Sequence, residues 1–350
     1  MGLVRDMLCR LDRTGVDPVS WQAPAPPSEL PDPAAEFDAL ERWPMPGSTG
    51  PEDVAVDGDG RLITGTDDGA LWRYDHLDRP GAERVTRIAD TGGRPLGVEV
   101  LADGRYLVCD AERGLLRVDD TGRVETLTDN ALGRPLVACN NSAVGVDGIV
   151  YFTDSSAKFS IAEHRYDLLE HRGTGRLIRF DPVTGETDLL ADGLQFANGV
   201  GLSRDGSFVV VAETGAYRIR RVDLTGPTAG RVSVWADNLP GIPDNVASQT
   251  AAGIFWVALY SPRMRLLDLL APHPALRLLA ANLPDALSPD PEPRAWVLGL
   301  DGDGTVAHNL RGPKGSYSPV TGVRESDGSL YLGSLTATAV ARIPAPPTRV

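Results

Sequence analysis

The sequence has few of the residues that mark exported or nucleic-acid-binding proteins. Its 350 residues include three cysteines, which are too few and too scattered for a disulfide framework. Lys and Arg number 34 against 48 Asp and Glu, which gives a formal net charge of −14. This deficit of positive charge argues against a nucleic-acid or anionic-membrane surface, because both favour basic residues.

Long apolar runs are missing as well. The segment Met1–Val16 is interrupted by charges at Arg5, Asp6 and Arg10 among others, so it predicts neither a secretory signal nor a membrane span. We therefore expect a cytoplasmic protein without a membrane span. Of the cysteines, Cys109 lies in an apolar strand pattern and is expected to be a core residue.

Glycine and proline, by contrast, are plentiful, at 38 and 28 residues, and are spread through the chain as turns. That distribution favours many short strands over a few long helices. Residues 1–37 differ from the rest, with a possible amphipathic helix at Met1–Leu11 followed by a proline-rich stretch. We interpret 1–37 as a helix and strap on the surface, and 38–350 as the folded body.

An internal repeat organises that body. Six segments share a turn, Asp-Gly in five and Ala-Gly in one, followed by a hydrophobic strand, with glycines at positions 60, 104, 148, 206, 253 and 328. Blade-sized repeats run about 40–50 residues, and the two longer steps contain insertions at 157–172 and 263–284. The pattern predicts an all-β fold, a six-bladed β-propeller with an N-terminal strap and a helical insertion near 263–284. We expect a strand near Glu41–Met45 to complete the last blade.

The two insertions differ in character. The first contains His164, Tyr166 and His171, whereas the second has leucines at helical spacing, with a break at Pro272-His273-Pro274. The second insertion has three interpretations: a helix packed on the propeller rim, a lid over the substrate mouth, or a membrane contact through a thin basic face.

Oxygen-bearing side chains recur at one register of the repeat. Counting back eight residues from the turn glycine, or nine in the Ala-Gly segment, gives Glu52, Asn140, Asn198 and Asp244. The other two repeats place Leu96 and Val320 there. The innermost strand of every blade starts at the same end of the channel, so the four polar side chains are expected to converge on the axis.

Two carboxylates and two amide oxygens form a hard donor set, suited to a divalent cation. We expect Ca²⁺ first, with Mg²⁺, Mn²⁺ or Zn²⁺ as alternatives. Taken singly, each residue also has a structural interpretation, since Asn and Asp often serve turns. The shared register is what favours a metal site.

Several motifs around this register resemble a known family. They include Gly50-Pro51-Glu52, Phe196-Ala197-Asn198-Gly199-Val200 and Leu239-Pro240-Gly241-Ile242-Pro243-Asp244-Asn245. They are similar to the strictosidine synthase-like branch of the gluconolactonase/SMP-30 and paraoxonase superfamily, over residues 47 to 343. The resemblance implies a divalent cation in the channel, with Glu52, Asn140, Asn198 and Asp244 at the family's ligand positions and Asn141 as a competitor for Asn140.

The sequence departs from that family at two places. Plant strictosidine synthases carry a catalytic glutamate early in the last blade, where this chain has Val320-Thr321. Paraoxonases use a histidine in blade two, where this chain has Pro95-Leu96-Gly97. We expect the five histidines to be exposed structural residues, with His164 or His171 able to reach the mouth.

The favoured function is a metal-dependent hydrolase of small-molecule lactones or related esters, in which the cation polarises the carbonyl and activates water. Asp244 is the expected general base, and the pocket wall is predicted to contain Asn141, Asn245, Phe196, Tyr260 and Thr321. Two alternatives remain. One is a natural-product cyclase or condensing enzyme of strictosidine synthase type, and the other is a non-catalytic ligand-binding propeller with a structural ion.

Overall fold

Six four-stranded antiparallel sheets form most of the chain that the computed structural model describes, residues 14–77, 84–284 and 290–347. Each sheet is one blade, and consecutive blades follow one another along the chain. The predicted six-bladed all-β propeller is therefore confirmed. The helix predicted at Met1–Leu11 lies outside the described residues.

The strands of the first half are β1 (Glu41–Pro44), β2 (Val54–Val56), β3 (Leu62–Gly65), β4 (Ala70–Asp75), β5 (Arg84–Asp90), β6 (Pro95–Val100), β7 (Tyr106–Asp110), β8 (Gly114–Val118), β9 (Val124–Thr128), β10 (Asn130–Ala131), β11 (Arg134–Pro135), β12 (Cys139–Val144), β13 (Val150–Asp154), β14 (Gly175–Phe180) and β15 (Thr187–Leu194). Those of the second half are β16 (Ala197–Leu202), β17 (Phe208–Glu213), β18 (Arg218–Asp223), β19 (Val232–Ala236), β20 (Gly241–Val246), β21 (Phe255–Pro262), β22 (Arg294–Leu300), β23 (Val306–Lys314), β24 (Val323–Ser326), β25 (Ser329–Leu332) and β26 (Ala339–Pro344).

The ring is closed by strands from opposite ends of the chain. Blades one to five are β2–β5, β6–β9, β12–β15, β16–β19 and β20–β23. Blade six contains β24, β25 and β26, and its fourth strand is β1, which pairs antiparallel with β26 from Glu41↔Arg342 to Pro44↔Ala339. This is the closure that the sequence predicted near Glu41–Met45.

The repeated turn glycine has a backbone cause. All six repeat glycines have positive φ, from 68° at Gly206 to 85° at Gly253. That region is disfavoured for residues with a Cβ, so glycine recurs wherever the first strand of a blade turns into the second. The turn thereby fixes the register of the inner strand and the position of the residues that precede it.

Carboxylates at the end of the second strand hold the loop that enters the first strand of the same blade. In blade two, Asp110 Oδ1 accepts from the Arg94 amide at 3.0 Å. In blade three, Asp154 Oδ1 accepts from the amides of Val137 and Ala138 at 3.0 and 2.8 Å. These bonds satisfy loop amides that no strand pairs, and they fix the start of the inner strands.

The core lies between adjacent blades, where apolar faces of neighbouring sheets meet. Between blades two and three this packing includes Cys109, Cys139 and Phe152, all fully buried. Cys109 is therefore a core residue, as expected.

Both insertions are helical and lie at the end of the channel where the inner strands begin. The first contains a 3-10 turn (Ile161–Glu163) and α1 (His164–Glu170), preceded by a capping box between Ser160 and Glu163. The second contains α2 (Arg265–Leu270) and α3 (Pro274–Ala281), interrupted where the proline-rich break was predicted. Further 3-10 turns are Glu36–Ala39, Thr214–Ala216 and Gly226–Thr228.

The described part of the strap is residues 14–37, and its stretch around Val19 and Trp21 runs between the two insertions. The Val19 amide donates to Glu170 O at 3.0 Å and the Trp21 amide to Ala271 O at 3.1 Å. Farther along, Asn309 Nδ2 donates to Pro31 O at 2.8 Å. Among the described residues, no helix has the length and apolar character needed to cross a membrane.

Candidate metal centre and active site

The four residues at the shared register line a single cavity of about 610 Å³. Asn140 and Asn198 are the second residues of the inner strands β12 and β16, Asp244 is the fourth residue of β20, and Glu52 lies just before β2. All four are buried. We call these four residues the floor of the cavity. The convergence expected from the repeat is therefore present in the structure.

Local irregularity of the inner strands helps to direct these side chains. Strand pairing shifts register between Cys139 and Ser142 in β12, and between Ala197 and Val200 in β16. Comparable shifts occur in β20 around Pro243. β-Bulges of this kind re-aim individual side chains, and proteins use them beside functional sites.

Three floor oxygens have no hydrogen-bond partner among the described residues: Glu52 Oε2, Asn140 Oδ1 and Asn198 Oδ1. Other atoms of two of these side chains are held firmly. Glu52 Oε1 accepts from Asn245 Nδ2 at 2.9 Å, and Asn198 Nδ2 donates to Thr214 Oγ1 at 3.1 Å. A buried acceptor without a partner costs about 1–3 kcal/mol, so three at one site point to a missing cationic or donor ligand.

The chemistry of the donor set also fits a hard divalent cation. Carboxylate and amide oxygens are the ligands that Ca²⁺ and Mg²⁺ prefer. In the described parts of the chain, no group of three or more His, Cys, Asp and Glu residues could hold a metal. The donors that the floor offers are two carboxylates and two side-chain amides.

Electrostatics lead to the same conclusion. Burial raises the pKa of Glu52 well above its usual range, and the nearby charges of Asp244 and Asp53 raise it further, against the opposing charge of Arg94. Burial likewise raises the pKa of Asp244 to about 8, while a hydrogen bond from Asn198 lowers it. Two buried carboxylates that repel each other are stabilised as anions by a cation between them.

Three residues predicted for the pocket wall lie behind it. Asn141, Asn245 and Thr321 are buried but are not part of the cavity lining. Asn141 Nδ2 donates to Asp53 Oδ2 at 3.1 Å, and Thr321 Oγ1 donates to Glu52 O at 2.6 Å. The prediction that they line the pocket is corrected: they support the site from behind, because Asn141 of blade three and Asn245 of blade five each bond a side chain that precedes blade one, and Thr321 bonds the Glu52 backbone.

Close approach of the inner strands makes this support possible. A Cβ at Gly199 of blade four would collide with Asn245 Cα and Val246 N of blade five. The glycine that follows Asn198 is therefore required by the packing of the two inner strands. The same contact fixes Asn245 where it meets Glu52.

Above the floor the cavity is mainly apolar. Phe196 and Tyr260, both predicted for the wall, do line it. The helical insertions contribute most of the remainder, including Ile161, Leu168, Leu169, Met264, Leu267, Leu270 and Leu283. We call the two insertions and strap residues 14–33 the roof. The first insertion was not predicted to be helical, although the Ser160-to-Glu163 capping box is a sequence signal for it.

Two arginines, the buried Arg277 and the partly buried Arg263, tie the parts of the roof together. Arg277 donates to Val19 O at 2.9 Å and to Leu168 O at 2.7 Å, joining the second insertion to the strap and to α1. Arg263 donates to Leu239 O and Pro24 O, both at 2.7 Å. Of the three arginines of the basic face considered for membrane contact, Arg263 and Arg277 therefore form internal hydrogen bonds, whereas Arg265 is exposed.

One histidine differs from expectation. His171 is buried, in contrast to the exposed position predicted for it, and its ring stacks on Trp21 with centroids 4.2 Å apart. Burial, together with the charges of Arg277 and Arg218, lowers the pKa of His171 to about 3. His164 lines the cavity, so one of the two histidines considered for the mouth does reach it.

Sequence reasoning missed Arg94. It is buried, lines the cavity, and lies in blade two just before Leu96, the apolar residue at the floor register. Burial raises the pKa of Glu52, and the positive charge of Arg94 opposes that increase. Nothing in the repeat marks this position, because the other blades have no arginine there.

Two family models match the chain. The model described as strictosidine synthase matches residues 141–227, and the one described as strictosidine synthase-like, N-terminal, matches residues 34–74. The adipocyte plasma membrane-associated protein of Rattus norvegicus is 32% identical over 94% of this chain and 92% of its own length. The protein strictosidine synthase-like 6 of Arabidopsis thaliana is 34% identical over 84% of this chain and 78% of its own.

Solved structures share the fold. A gluconolactonase from Xanthomonas campestris superposes with a TM-score of 0.63 at 18% identity, over 94% of this chain and 99% of its own. The calcium-binding protein regucalcin from Agrobacterium tumefaciens has a TM-score of 0.58 at 16% identity, over 88% and 95%. Likeness at these identities establishes the six-bladed architecture and no more.

Proposed function

The chain belongs to the strictosidine synthase-like family, as its motifs indicated, and from this premise we propose that it is a divalent-metal-dependent hydrolase of lactones or related esters. The observation that carries the proposal is that oxygens of Glu52, Asn140 and Asn198 have no hydrogen-bond partner in the described chain. They lie with the Asp244 carboxylate at the base of a mainly apolar cavity. The names of the gluconolactonase and regucalcin neighbours support a lactone substrate and Ca²⁺, respectively.

Within this proposal the four floor residues hold the ion. When bound, the cation supplies polarisation of the ester carbonyl and stabilises charge that develops on its oxygen. Asn245 and Thr321 keep Glu52 in place from behind, through the side-chain and backbone bonds described above. Thr214 Oγ1 accepts a hydrogen bond from Asn198 Nδ2 and so orients this side chain. The Asn198 Oδ1 atom is then directed away from Thr214.

Asp244 is the proposed general base. It lines the cavity, and a carboxylate whose pKa is raised by burial is a stronger proton acceptor than an exposed one. Asp244 Oδ would take a proton from the attacking water and return it to the leaving alkoxy oxygen. The apolar roof above it excludes bulk water, which strengthens each electrostatic interaction at the floor.

A condensing enzyme of strictosidine synthase type would need a catalytic carboxylate early in the last blade, and this chain has none at that position. Thr321 stands where plant strictosidine synthases carry their catalytic glutamate, and here it is fully buried and bonded to Glu52 O. No carboxylate of the described last blade lines the cavity. A hydrolase is therefore the better match to the groups that do.

The test is reconstitution of activity. Protein stripped with chelator would be assayed on phenyl acetate and a panel of γ- and δ-lactones, before and after addition of Ca²⁺, Mn²⁺ or Zn²⁺. We expect hydrolysis to be lost with the ion and restored by it. A protein that binds the ion and gains thermal stability, yet hydrolyses none of these compounds, would contradict the hydrolase and favour the ligand-binding propeller.

A further inference from the structure

A second group of charged side chains lies on the inner strands, and the proposed mechanism does not use it. Asp53 follows Glu52 directly, just before β2 of blade one, and it is buried. Glu99 lies in β6 of blade two and Arg324 in β24 of blade six. We call Asp53, Glu99 and Arg324 the lower group. None of the three lines the cavity above the floor.

An ion pair in the lower group joins blades that are not neighbours in the ring. Arg324 Nη2 donates to Glu99 Oε1 at 2.6 Å, and blade one lies between blades six and two. Glu99 comes three residues after Leu96 and Arg324 four after Val320, the apolar residues at the floor register. The pair therefore lies about 10 Å farther along the inner strands, toward the turns. The side chains are 20% and 17% exposed, so the pair is largely buried.

Asp53 is held from several blades at once. Its Oδ2 accepts from the Val98 amide of blade two at 3.3 Å and from Asn141 Nδ2 of blade three at 3.1 Å. On the side of blade six, a Cβ at Gly322 would come within 2.6 Å of Asp53 Oδ1. The carboxylate is therefore fixed against that glycine, and its backbone continues from the floor residue Glu52.

Arg324 supplies the positive charge of this group. Burial raises the pKa of Asp53 to about 6, the charge of Arg324 lowers it, and the charge of Glu99 raises it. Burial lowers the pKa of Arg324, and the charges of Glu99 and Asp53 raise it by more. Two carboxylates that act on each other are stable as anions when a cation lies close to both. The guanidinium fills this role for Asp53 and Glu99.

We propose that Arg324 occupies the place of a second cation, so that the channel takes one divalent ion rather than two. A guanidinium is always protonated and weakly hydrated, so it serves as a buried counter-ion that is covalently part of the chain. Without it, Asp53 and Glu99 would offer two carboxylates to a hard cation. Arg324 is thus a positioning residue for Asp53 and, through the backbone, for Glu52. The inference rests on the proposed function for the ion at the floor.

The test counts bound ions and needs no turnover. Chelator-stripped protein would be dialysed to equilibrium against Ca²⁺ up to the millimolar range, because weak protein sites have a Kd of about 10⁻⁴–10⁻³ M. We expect one ion per chain in the wild type and two in Arg324→Met, which lacks the charge. Arg324→Gln keeps a hydrogen-bond donor without the charge and should also bind two. Arg324→Lys restores the charge and should bind one.

Arg117→Met is the matched control. Arg117 also forms an ion pair between strands, to Glu125 Oε2 at 2.7 Å, and its side chain is 23% exposed, close to the value for Arg324. It lies in β8, outside the inner strands, so this variant should bind one ion. A double variant, Arg324→Met with Glu99→Gln, should also bind one, because a single carboxylate then remains in the lower group.

Thermal unfolding provides a second readout. A ligand that binds the folded state raises Tm until its site is saturated. The Tm of Arg324→Met should therefore continue to rise with Ca²⁺ in the millimolar range, where the Tm of the wild type has become constant. Arg324→Gln gives the same test if Arg324→Met does not fold.

Two results would overturn the inference. One is a single ion per chain in the neutral variants of Arg324, and the other is a second ion that persists in the double variant. The proposed function fails separately. A wild type that binds no ion would remove the metal centre at the floor, whereas a gain of one ion in Arg324→Met, absent from Arg117→Met, would keep this inference. The expected ion counts without any hydrolysis would remove the hydrolase alone.

Discussion

The floor and the roof of the cavity are built by different means. The floor takes Glu52, Asn140, Asn198 and Asp244 from equivalent points of a repeat, so the ring of blades itself brings them together. The roof is made of non-repeating segments, the two insertions and strap residues 14–33, held by contacts such as those of Arg277 to Val19 O and Leu168 O.

We therefore expect the floor to determine the chemistry of the site and the roof to determine its substrate selectivity. The floor residues are buried, mutually supported and polar, and a change of one atom there alters the charge of the site. The roof residues that line the cavity come from the two insertions and are mostly apolar, so they determine which molecules fit. Substitutions on the floor should therefore change the rate of reaction, and those in the roof should change affinity and local stability.

The largest expected effect comes from Asp244→Asn. Removing a general base lowers the rate by about 10²–10⁴-fold, so we expect kcat at saturating Ca²⁺ to fall by about a thousandfold with the fold intact. The roof carboxylate Asp268, which accepts from Tyr217 Oη at 2.8 Å, is the matched control. Asp268→Asn keeps an acceptor there and should leave kcat within a few-fold. Full activity in the Asp244 variant would remove it from the chemistry.

The next effect is a pH dependence located in the roof. The folded-state pKa of His171 is about 3, below its value of about 6.5 in the unfolded chain. Its contribution to stability is therefore complete above about pH 6.5 and is lost as the pH falls toward 3, because the unfolded chain takes up the proton first. The free energy of unfolding should decrease by up to about 1.4 kcal/mol per pH unit over that range from this group alone.

His171→Asn tests the assignment of that acid sensitivity. Asparagine tolerates the left-handed conformation of this residue, φ 57°, and does not titrate. Chemical denaturation of the two proteins between pH 3.5 and 6.5 should give a shallower slope for the variant. Parallel curves would mean that His171 has access to protons in the folded state, contrary to its burial under Trp21.

A smaller effect is expected from Trp21→Ala in the strap. The indole stacks on His171 and lies 5.7 Å from the Tyr217 ring, and aromatic pairs of this kind contribute about 0.5–1.5 kcal/mol each. Without these two ring contacts, amide hydrogens in α1 and the adjoining strap should exchange faster, and KM should increase several-fold. Ion affinity should not change, because the rings that this indole packs on, His171 and Tyr217, are not floor residues. A variant that loses the ion as well would show that floor and roof are one unit.

The same division explains what could be predicted from the sequence. The propeller, its closure and the four floor residues follow from periodicity, since a repeat converts spacing along the chain into position around the axis. Side chains also alternate between the two faces along a strand. If Asn140 and Asp244 face the cavity, their neighbours Asn141 and Asn245 face away, as the structure shows.

The roof could not be predicted in this way. Trp21 meets His171 from a distant part of the chain, and Arg277 reaches Val19 and Leu168, with no pattern to connect them. Arg94 lies in one blade only, so the repeat does not reveal it. Contacts of this kind depend on how unrelated segments pack, and a single sequence does not encode them as a spacing.

The most direct test of the central claim is calorimetric titration of the chelator-stripped protein with Ca²⁺, for the wild type and for Glu52→Gln. The control is Glu112→Gln, an exposed carboxylate in the lining of the same cavity. We predict one ion per chain in the wild type and in the control, and loss of at least a hundredfold in affinity in the Glu52 variant. Equal affinity in all three proteins, or no ion bound by the wild type, would contradict a metal centre at the floor.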